Sequence, residues 1–241
     1  MYSGPDSNQW VKREQLTPPV DLSTNGFIGN FGWDVAMDDS NTVFVGAPNQ
    51  KTPDGEISGA VYTYKQVSVD SWGDPSDDVK YGGAAGDEFG WSVAANSEGF
   101  VVGAPDETVE GVVGAGAAHV FINDQTSYRL SNTAPETSGQ FGFSVFINQE
   151  NSNYLNVGGQ GGVYVYKRNP SSGYTLVDSA EVAGNEFGSA VAMSGSELLV
   201  GAPGGTGSVY YYHIAVTAND AVTPRAPLTT ETPSISPTFA P

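Results

Sequence analysis

The sequence predicts an all-β chain made of four copies of one four-stranded unit, the architecture of a β-propeller. The dipeptide Phe-Gly recurs at intervals of about 50 residues, which is the length of one propeller blade. Short apolar segments of alternating pattern follow each copy in the same order, as expected of strands with one buried face. The 31 glycines among 241 residues favour many tight turns over long helices.

The first strand of each unit follows directly after the Phe-Gly dipeptide. Gly beside Phe allows the backbone to turn tightly while the ring fills the gap to the neighbouring unit. The predicted first strands are residues 33–36, 91–94, 143–146 and 189–192. The units therefore start near 31, 89, 141 and 187, at the dipeptides Phe31-Gly32, Phe89-Gly90, Phe141-Gly142 and Phe187-Gly188.

The second strand of three units ends in Gly-Ala-Pro. The two small residues permit close approach of another backbone, and Pro has no N–H with which to continue strand pairing. The predicted second strands are residues 43–48, 100–105 and 198–203. The third unit departs from this pattern, because its second strand ends at Gly158-Gly159.

The third strand of each unit carries an aromatic face suited to packing against the next sheet. The predicted segments are residues 61–64, 118–121, 163–166 and 209–212. His119 stands where the other units have Tyr62, Tyr164 and Tyr210, so we expect it to pack as an aromatic ring rather than to catalyse. A weaker fourth strand is predicted around 128–130 and 174–176, and more loosely after Lys65.

These units resemble FG-GAP repeats, the blades of the integrin alpha-chain β-propeller and of its microbial relatives. The resemblance covers residues 10–213 and depends on four ordered copies of Phe-Gly with matching third strands. It implies a β-propeller, but it implies no reaction, because one fold hosts many functions.

Calcium is bound by many such repeats through an Asp-x-Asp-x-Asp-Gly loop between the first two strands. The corresponding turns at 37–42, 95–99, 148–153 and 194–197 lack that pattern, so the chain resembles the calcium-free branch of the repeat. We expect Asp38 and Asp39 to be turn residues. We expect no cofactor. If the fold binds a cation, calcium is the expected one.

The number of blades has two interpretations. Residues 10–16 look like an outer fourth strand, which would complete the last blade and close a four-bladed ring. Alternatively, the four units are part of a larger propeller, for example the seven-bladed type that the resemblance implies. The propeller is predicted to span 1–216, and the Ser/Thr/Pro-rich segment 217–241 is predicted to be a disordered tail or linker, similar to the stalks of cell-surface proteins.

Charge and composition exclude several classes of partner. The chain has 27 acidic and 9 basic residues, a net charge of −18, so a phosphate-binding groove and therefore nucleic acid are not expected. Cations or basic protein surfaces suit it better. It has no Cys, and no apolar run is long enough for a membrane span. Residues 1–14 contain no apolar core of a signal peptide. An extracellular or cell-surface location, which we expect, therefore requires that the natural start lies upstream.

Acidic residues crowd the longer loops, which in this family build the ligand-binding face. Loops on a rigid scaffold commonly carry binding residues. We expect one rim of the propeller to bind a protein or glycan ligand, and a basic one in particular. The candidate residues are Asp54, Glu56, Trp72, Asp74, Asp77, Asp78, Asp106, Glu107 and Glu110.

The function that the sequence predicts is recognition of a protein or glycan by a non-enzymatic, adhesion-type module. No Gly-x-Ser-x-Gly elbow or complete dinucleotide fingerprint is present, so no catalytic residue is predicted. Two alternatives stay open at this point. The chain is an accessory propeller of a larger secreted enzyme, or it is a purely structural wall or matrix protein.

Overall fold

Four antiparallel β-sheets make up the described part of the chain. The computed structural model describes residues 14–19, 29–69, 71–75, 78–122, 126–148, 154–169 and 173–214. These residues contain sixteen strands and no α-helix. Each sheet corresponds to one predicted unit, and consecutive sheets pack face to face, so the chain has a propeller-like fold.

The strands of each sheet follow one another in sequence order, except that β4 and β5 of the first sheet both pair with β3. The first sheet contains β1 (Val35–Met37), β2 (Thr42–Ala47), β3 (Ala60–Ser68), β4 (Ser71–Trp72) and β5 (Val79–Tyr81). The second contains β6 (Ser92–Asn96), β7 (Gly99–Ala104), β8 (Ala117–Ile122) and β9 (Thr126–Leu130). The third contains β10 (Ser144–Ile147), β11 (Tyr154–Gly159), β12 (Gly162–Asn169) and β13 (Gly173–Glu181). The fourth contains β14 (Ala190–Ser194), β15 (Glu197–Ala202) and β16 (Ser208–His213).

Three core layers lie between consecutive sheets, and a further buried cluster lies on the other face of the first sheet, against Leu16. The inner strands contact one another in the order β1, β6, β10, β14. Between the first and second sheets, the ring of Phe44 stacks on that of Phe100 at a centroid distance of 4.4 Å. Val101 and Val120 of the second sheet pack on the third, and Val163 of the third packs on the fourth. Each layer buries apolar area, the main source of folding free energy.

The Phe-Gly and Gly-Ala-Pro motifs meet at these interfaces. The N–H of Gly90 donates to the carbonyl of Gly103 within its own sheet, and the same pairing joins Gly142 to Gly158. The carbonyl of Gly142 in turn lies against Gly103 of the preceding sheet, where a side chain would overlap it. Gly90 has φ +93°, which only glycine adopts freely. The two motifs therefore interlock neighbouring backbones.

A polar side chain near the start of three inner strands links each sheet to the next. The Oδ2 of Asp34 accepts the N–H of Val93 at 2.7 Å, and Ser92 Oγ accepts the N–H of Val145 at 3.0 Å. In the third sheet, Ser144 Oγ donates to the carbonyl of Gly188 at 2.8 Å. These bonds fix how consecutive inner strands are aligned.

The predicted strands are confirmed with small boundary shifts. Each Gly-Ala-Pro strand ends at Ala, one residue before the proline, as the missing N–H requires. Asp38 is a turn residue, because its Oδ1 accepts the N–H groups of Ser40 and Thr42 at 2.8 Å. His119 packs edge-on against Phe89 at 5.4 Å, and the matching tyrosines of the other units contact their own Phe-Gly rings at 5.1–5.2 Å.

The predicted outer strand at 10–16 is not formed by its described residues. Residues 14–19 have no strand assignment and lie against the first sheet rather than the last. Leu16 joins the cluster around Trp72, and the hydroxyl of Tyr64 donates to the carbonyl of Thr17 at 2.7 Å. Residues 10–13 and the whole of the predicted tail, 217–241, lie outside the described residues.

Candidate functional site: the loop face and its cleft

The loop face is the end of the array that carries the connections between second and third strands and between consecutive sheets. Five of the predicted binding residues lie on it, in the connections 48–59 and 105–116. Asp54, Glu56 and Glu110 are exposed, whereas Asp106 and Glu107 are half-buried. A hydrogen bond from Thr52 lowers the pKa of Asp54, so this carboxylate stays ionised at neutral pH.

Glu107 is held by two basic neighbours. Its Oε2 lies 2.6 Å from His119 Nε2, and its Oε1 accepts a bond from Arg129 Nε at 2.5 Å. Burial works to raise the pKa of Glu107, but the hydrogen bonds and charges of His119 and Arg129 outweigh it and lower the pKa. This carboxylate therefore braces the loop to the second sheet and is not available to a ligand.

The remaining predicted residues lie away from the loop face. Trp72 is in β4, which pairs with the end of β3 farthest from that face. Asp74 follows it, beside the Gly73 N–H that donates to the Lys65 carbonyl at 2.9 Å. Asp78 sits beside the middle of β3 and pairs with Lys65 at 3.3 Å and Lys80 at 2.9 Å. Asp77 lies outside the described residues. The structure thus separates the predicted rim into two groups.

Carboxylates on the loop face repel one another where the first two sheets meet. Burial and then the charge of Asp106 raise the pKa of Glu88. Burial likewise raises the pKa of Asp87, with a further contribution from Glu107. Such upward shifts are expected where like charges share a partly dehydrated site. The loop face therefore concentrates negative charge.

A cleft of about 460 Å³ opens on the loop face between the third and fourth sheets. It exists because β11 and β12 are joined by a two-residue turn, Gln160-Gly161, where the first two sheets carry long loops. Its size is in the range of small-ligand sites. Three carboxylates and three other polar side chains line it, namely Glu136, Glu181, Glu186, Asn132, Gln160 and Tyr164.

The hydroxyl of Tyr164 marks the floor of the cleft. It accepts a bond from Asn132 Nδ2 at 2.8 Å and lies 3.5 Å from Glu181 Oε1. Burial, followed by the charge and hydrogen bond of Glu181, raises the pKa of Tyr164 to about 12. The tyrosine therefore stays neutral and offers a hydrogen bond, while the carboxylates attract positive charge.

Sequence reasoning did not find this cleft. Its acids are spread over the connections 131–140 and 182–186 and over the end of β13, and no short motif joins them. The available signal was the third unit, whose Gly158-Gly159 departs from Gly-Ala-Pro and is followed by no loop. A missing loop leaves space, but its lining depends on how neighbouring sheets pack.

The residues that the structure describes contain neither a metal-ligand cluster nor a membrane-spanning helix. In that part of the chain, no three His, Asp or Glu side chains lie together as metal ligands would. The same residues contain no helix with the length and apolarity needed to cross a bilayer.

Comparison with known proteins identifies the repeat. The family model for the FG-GAP repeat matches residues 10–64 and 79–121, which cover the first two units. Among solved structures, the chain is similar to Hsv2 of Kluyvelomyces marxianus, with 13% sequence identity and a TM-score of 0.45. That similarity covers 74% of this chain and 46% of Hsv2, so the chain spans less than half the length of that protein.

Proposed function

We propose that this chain, whose first two units match the FG-GAP repeat and whose sheets form a propeller-like fold, is a non-enzymatic binding module. The loop face is its recognition surface for a protein or glycan, and charge favours a basic protein segment. The observation that carries this proposal is the acidic cleft between the third and fourth sheets.

The cleft suits one or two long basic side chains. Lys and Arg form their strongest hydrogen bonds with carboxylates, and Glu136, Glu181 and Glu186 offer three around one opening. The glycines on its wall carry no side chains, which leaves the opening clear for a long basic side chain. An anionic ligand would meet repulsion on every side.

The rest of the loop face is also negatively charged. The exposed carboxylates of Asp54, Glu56 and Glu110 lie on the neighbouring sheets, and the whole chain carries a net charge of −18. Such a field speeds encounter with a basic partner and weakens as salt rises. We infer a location outside the cell or at its surface, in an adhesion-type role, because FG-GAP repeats are usually found there.

Binding of the protein to printed arrays of peptides and glycans tests this proposal. The peptides are Lys/Arg-rich, neutral or acidic. We expect the basic peptides to bind, and binding to weaken as salt rises. Glu136→Lys and Glu181→Lys should each lower affinity by about tenfold or more, because each reverses a charge inside the cleft.

Asp39→Lys is the matched control, since it reverses an exposed charge in the β1–β2 turn at the opposite end of the sheets. It should change affinity by less than about threefold. Equal losses for all three variants would mean that only net charge matters. Capture of neutral glycans, insensitive to these variants, would move recognition to a glycan, and an absence of any binding would favour a structural matrix role.

A further inference from the structure

Three aromatic side chains form a continuous row along the inner edge of the loop face. Each directly follows a Phe-Gly dipeptide, where an inner strand starts, and we call Trp33, Trp91 and Phe143 the aromatic row. The ring centroids of Trp33 and Trp91 are 4.8 Å apart, and those of Trp91 and Phe143 are 5.3 Å apart. The fourth sheet has Ser189 at the equivalent position, so the row ends beside the third sheet.

One repeated turn sets each ring of the row next to a polar side chain. In each of the first three units, the N–H of the row residue donates to the carbonyl three residues earlier, at 3.0–3.1 Å. That earlier residue is polar and has a positive φ of 47–62°, although none is a glycine. Such strained backbone is commonly found at binding sites. The polar residues are Asn30, Glu88 and Gln140.

The aromatic row remains accessible to solvent. Trp33 is 50% exposed, and Trp91 and Phe143 are half-buried. By contrast, Phe44 and Phe100 lie deeper between the first two sheets and are almost completely buried. The ring planes of the row are tilted by 45–47° to one another, so no ring stacks flat on its neighbour. Accessible apolar groups that are rimmed by polar ones mark an interaction site.

Planar polar side chains lie beside the aromatic row. Gln160 Nε2 donates to Gln140 Oε1 at 2.9 Å, and Gln140 Nε2 donates to Asp106 Oδ1 at 3.3 Å. Both glutamines meet the row at a pocket of about 70 Å³, which Phe143 and Glu186 also line. Amide and carboxylate groups have several donor or acceptor positions each, so these side chains can bond a ligand as well as one another.

The backbone beside the row offers no free edge for an added strand. The N–H groups of the row residues are bonded within their own turns, and the N–H of Gly90 donates to the carbonyl of Gly103. An extended peptide that binds through its main chain needs such an edge, because its own N–H and C=O groups require partners. Recognition at the row therefore depends on ring faces and planar polar side chains.

We propose that the aromatic row and the polar side chains beside it form a binding site for a neutral glycan chain. A sugar ring has an apolar C–H face that packs on an aromatic ring. Its hydroxyl groups donate to carboxylates and exchange hydrogen bonds with amides. Neighbouring rings of the row are spaced by about the width of one sugar ring, so a short oligosaccharide contacts two or three of them.

Charge selects a neutral glycan over an acidic one. The carboxylates of Glu88, Asp106 and Glu186 lie on the loop face near the row, and the chain has a net charge of −18. The site borders the acidic cleft at Gln160 and Glu186, but it does not use Glu136 or Glu181. Glycan binding by the row and capture of a basic segment by the cleft therefore fail or succeed separately.

A printed array of neutral and acidic oligosaccharides, incubated with the full chain, tests this proposal. We expect neutral chains to bind and acidic ones not to bind. Titration with a neutral oligosaccharide that binds should change the tryptophan emission, because Trp33 and Trp91 contact the sugar. An absence of binding to every neutral oligosaccharide would overturn the proposal.

Substitutions in the row separate glycan binding from folding. Trp33→Ala and Phe143→Ala should each weaken binding by about threefold to tenfold, the range expected for loss of one aromatic contact. Gln160→Ala, which removes an exposed amide, should weaken binding without moving the urea midpoint. Tyr211→Ala is the matched control, because it removes a 62% exposed ring from the middle of β16, and it should leave binding unchanged.

Glu136→Lys distinguishes this site from the cleft. It should lower capture of basic peptides and change the affinity for neutral glycans by less than about threefold. If basic peptides do not bind but neutral glycans do, the cleft proposal fails and the row is the recognition site. Glycan binding that survives both Trp33→Ala and Phe143→Ala would refute the row, and so would a loss of peptide capture alone in these two variants.

Discussion

The interlock of the two glycine motifs predicts that replacing glycine by alanine changes stability very differently at two equivalent positions. Gly103 and Gly201 both precede the alanine of Gly-Ala-Pro, and neither has the positive φ that would strain an alanine. They differ only in what lies beside them. Gly103 faces the Gly142 carbonyl of the third sheet, whereas Gly201 faces no following sheet in the described residues.

The cost of Gly103→Ala follows from this geometry. The added Cβ would lie 2.9 Å from the carbonyl carbon of Gly142 and closer still to its oxygen. Ordinary contact begins near 3.4 Å, and the oxygen is the closer of the two atoms, so the two sheets must separate by more than about an ångström. Both neighbours are backbone, so no side-chain rotation relieves the overlap. We expect a loss of about 3 kcal/mol, the upper end of overpacking effects.

Urea unfolding at dilute concentration, followed by circular dichroism, measures both variants. The midpoint for Gly103→Ala should fall with an unchanged slope, and its melting temperature should drop by about 6–12 °C for a domain of this size. Gly201→Ala should stay within about 1 kcal/mol of the wild type, because alanine is favoured over glycine in a strand. Equal losses at both positions, or no loss at Gly103, would refute the interlock.

Three further outcomes follow from single contacts. Phe141→Ala should cost about 3–5 kcal/mol in urea unfolding because its ring is fully buried against the third sheet, while Phe31→Ala should cost less because that ring is half-buried. Ser144→Ala removes the bond to the Gly188 carbonyl and should cost about 1 kcal/mol. Glu107→Gln should lower the melting temperature at neutral pH, and the difference should vanish on acidification. Because the folded pKa of Glu107 is lowered, the ionised carboxylate contributes to stability above the unfolded pKa of about 4.3, and this contribution is lost as pH falls through the folded pKa. A difference in melting temperature between variant and wild type that persists below a pH of about 3 would contradict this.

The repeat was predictable because the regular spacing of the Phe-Gly dipeptides agrees with the positions of the strand-ending Gly-Ala-Pro motifs. Phe141 and the glycine after it mark a sheet start, and the proline of each Gly-Ala-Pro ends a strand wherever the motif occurs. Even His119 was correctly interpreted from its alignment with Tyr62 and Tyr164 of the neighbouring units. These inferences need only local geometry, which each repeat supplies independently.

The candidate site was less predictable because it depends on register and on packing between sheets. His119 and Arg129 are cross-strand partners in β8 and β9, and only that register places both beside Glu107. Asp78 looked like a loop acid, but β3 and β5 bring Lys65 and Lys80 to it. The acidic cleft depends on a loop that one unit lacks.

The order of the sheets and the open ends of the array are tested most directly by chemical cross-linking. The chain has no native Cys, so cysteine pairs report cleanly. The rings of Trp33 and Trp91, in consecutive sheets, are 4.8 Å apart. At monomeric concentration, the Trp33→Cys/Trp91→Cys variant should cross-link rapidly within one chain through a short bis-maleimide. The Trp33→Cys/Ser189→Cys variant joins the first and fourth sheets and should not. Equally rapid intramolecular cross-linking of both pairs would show a closed ring and contradict the open array.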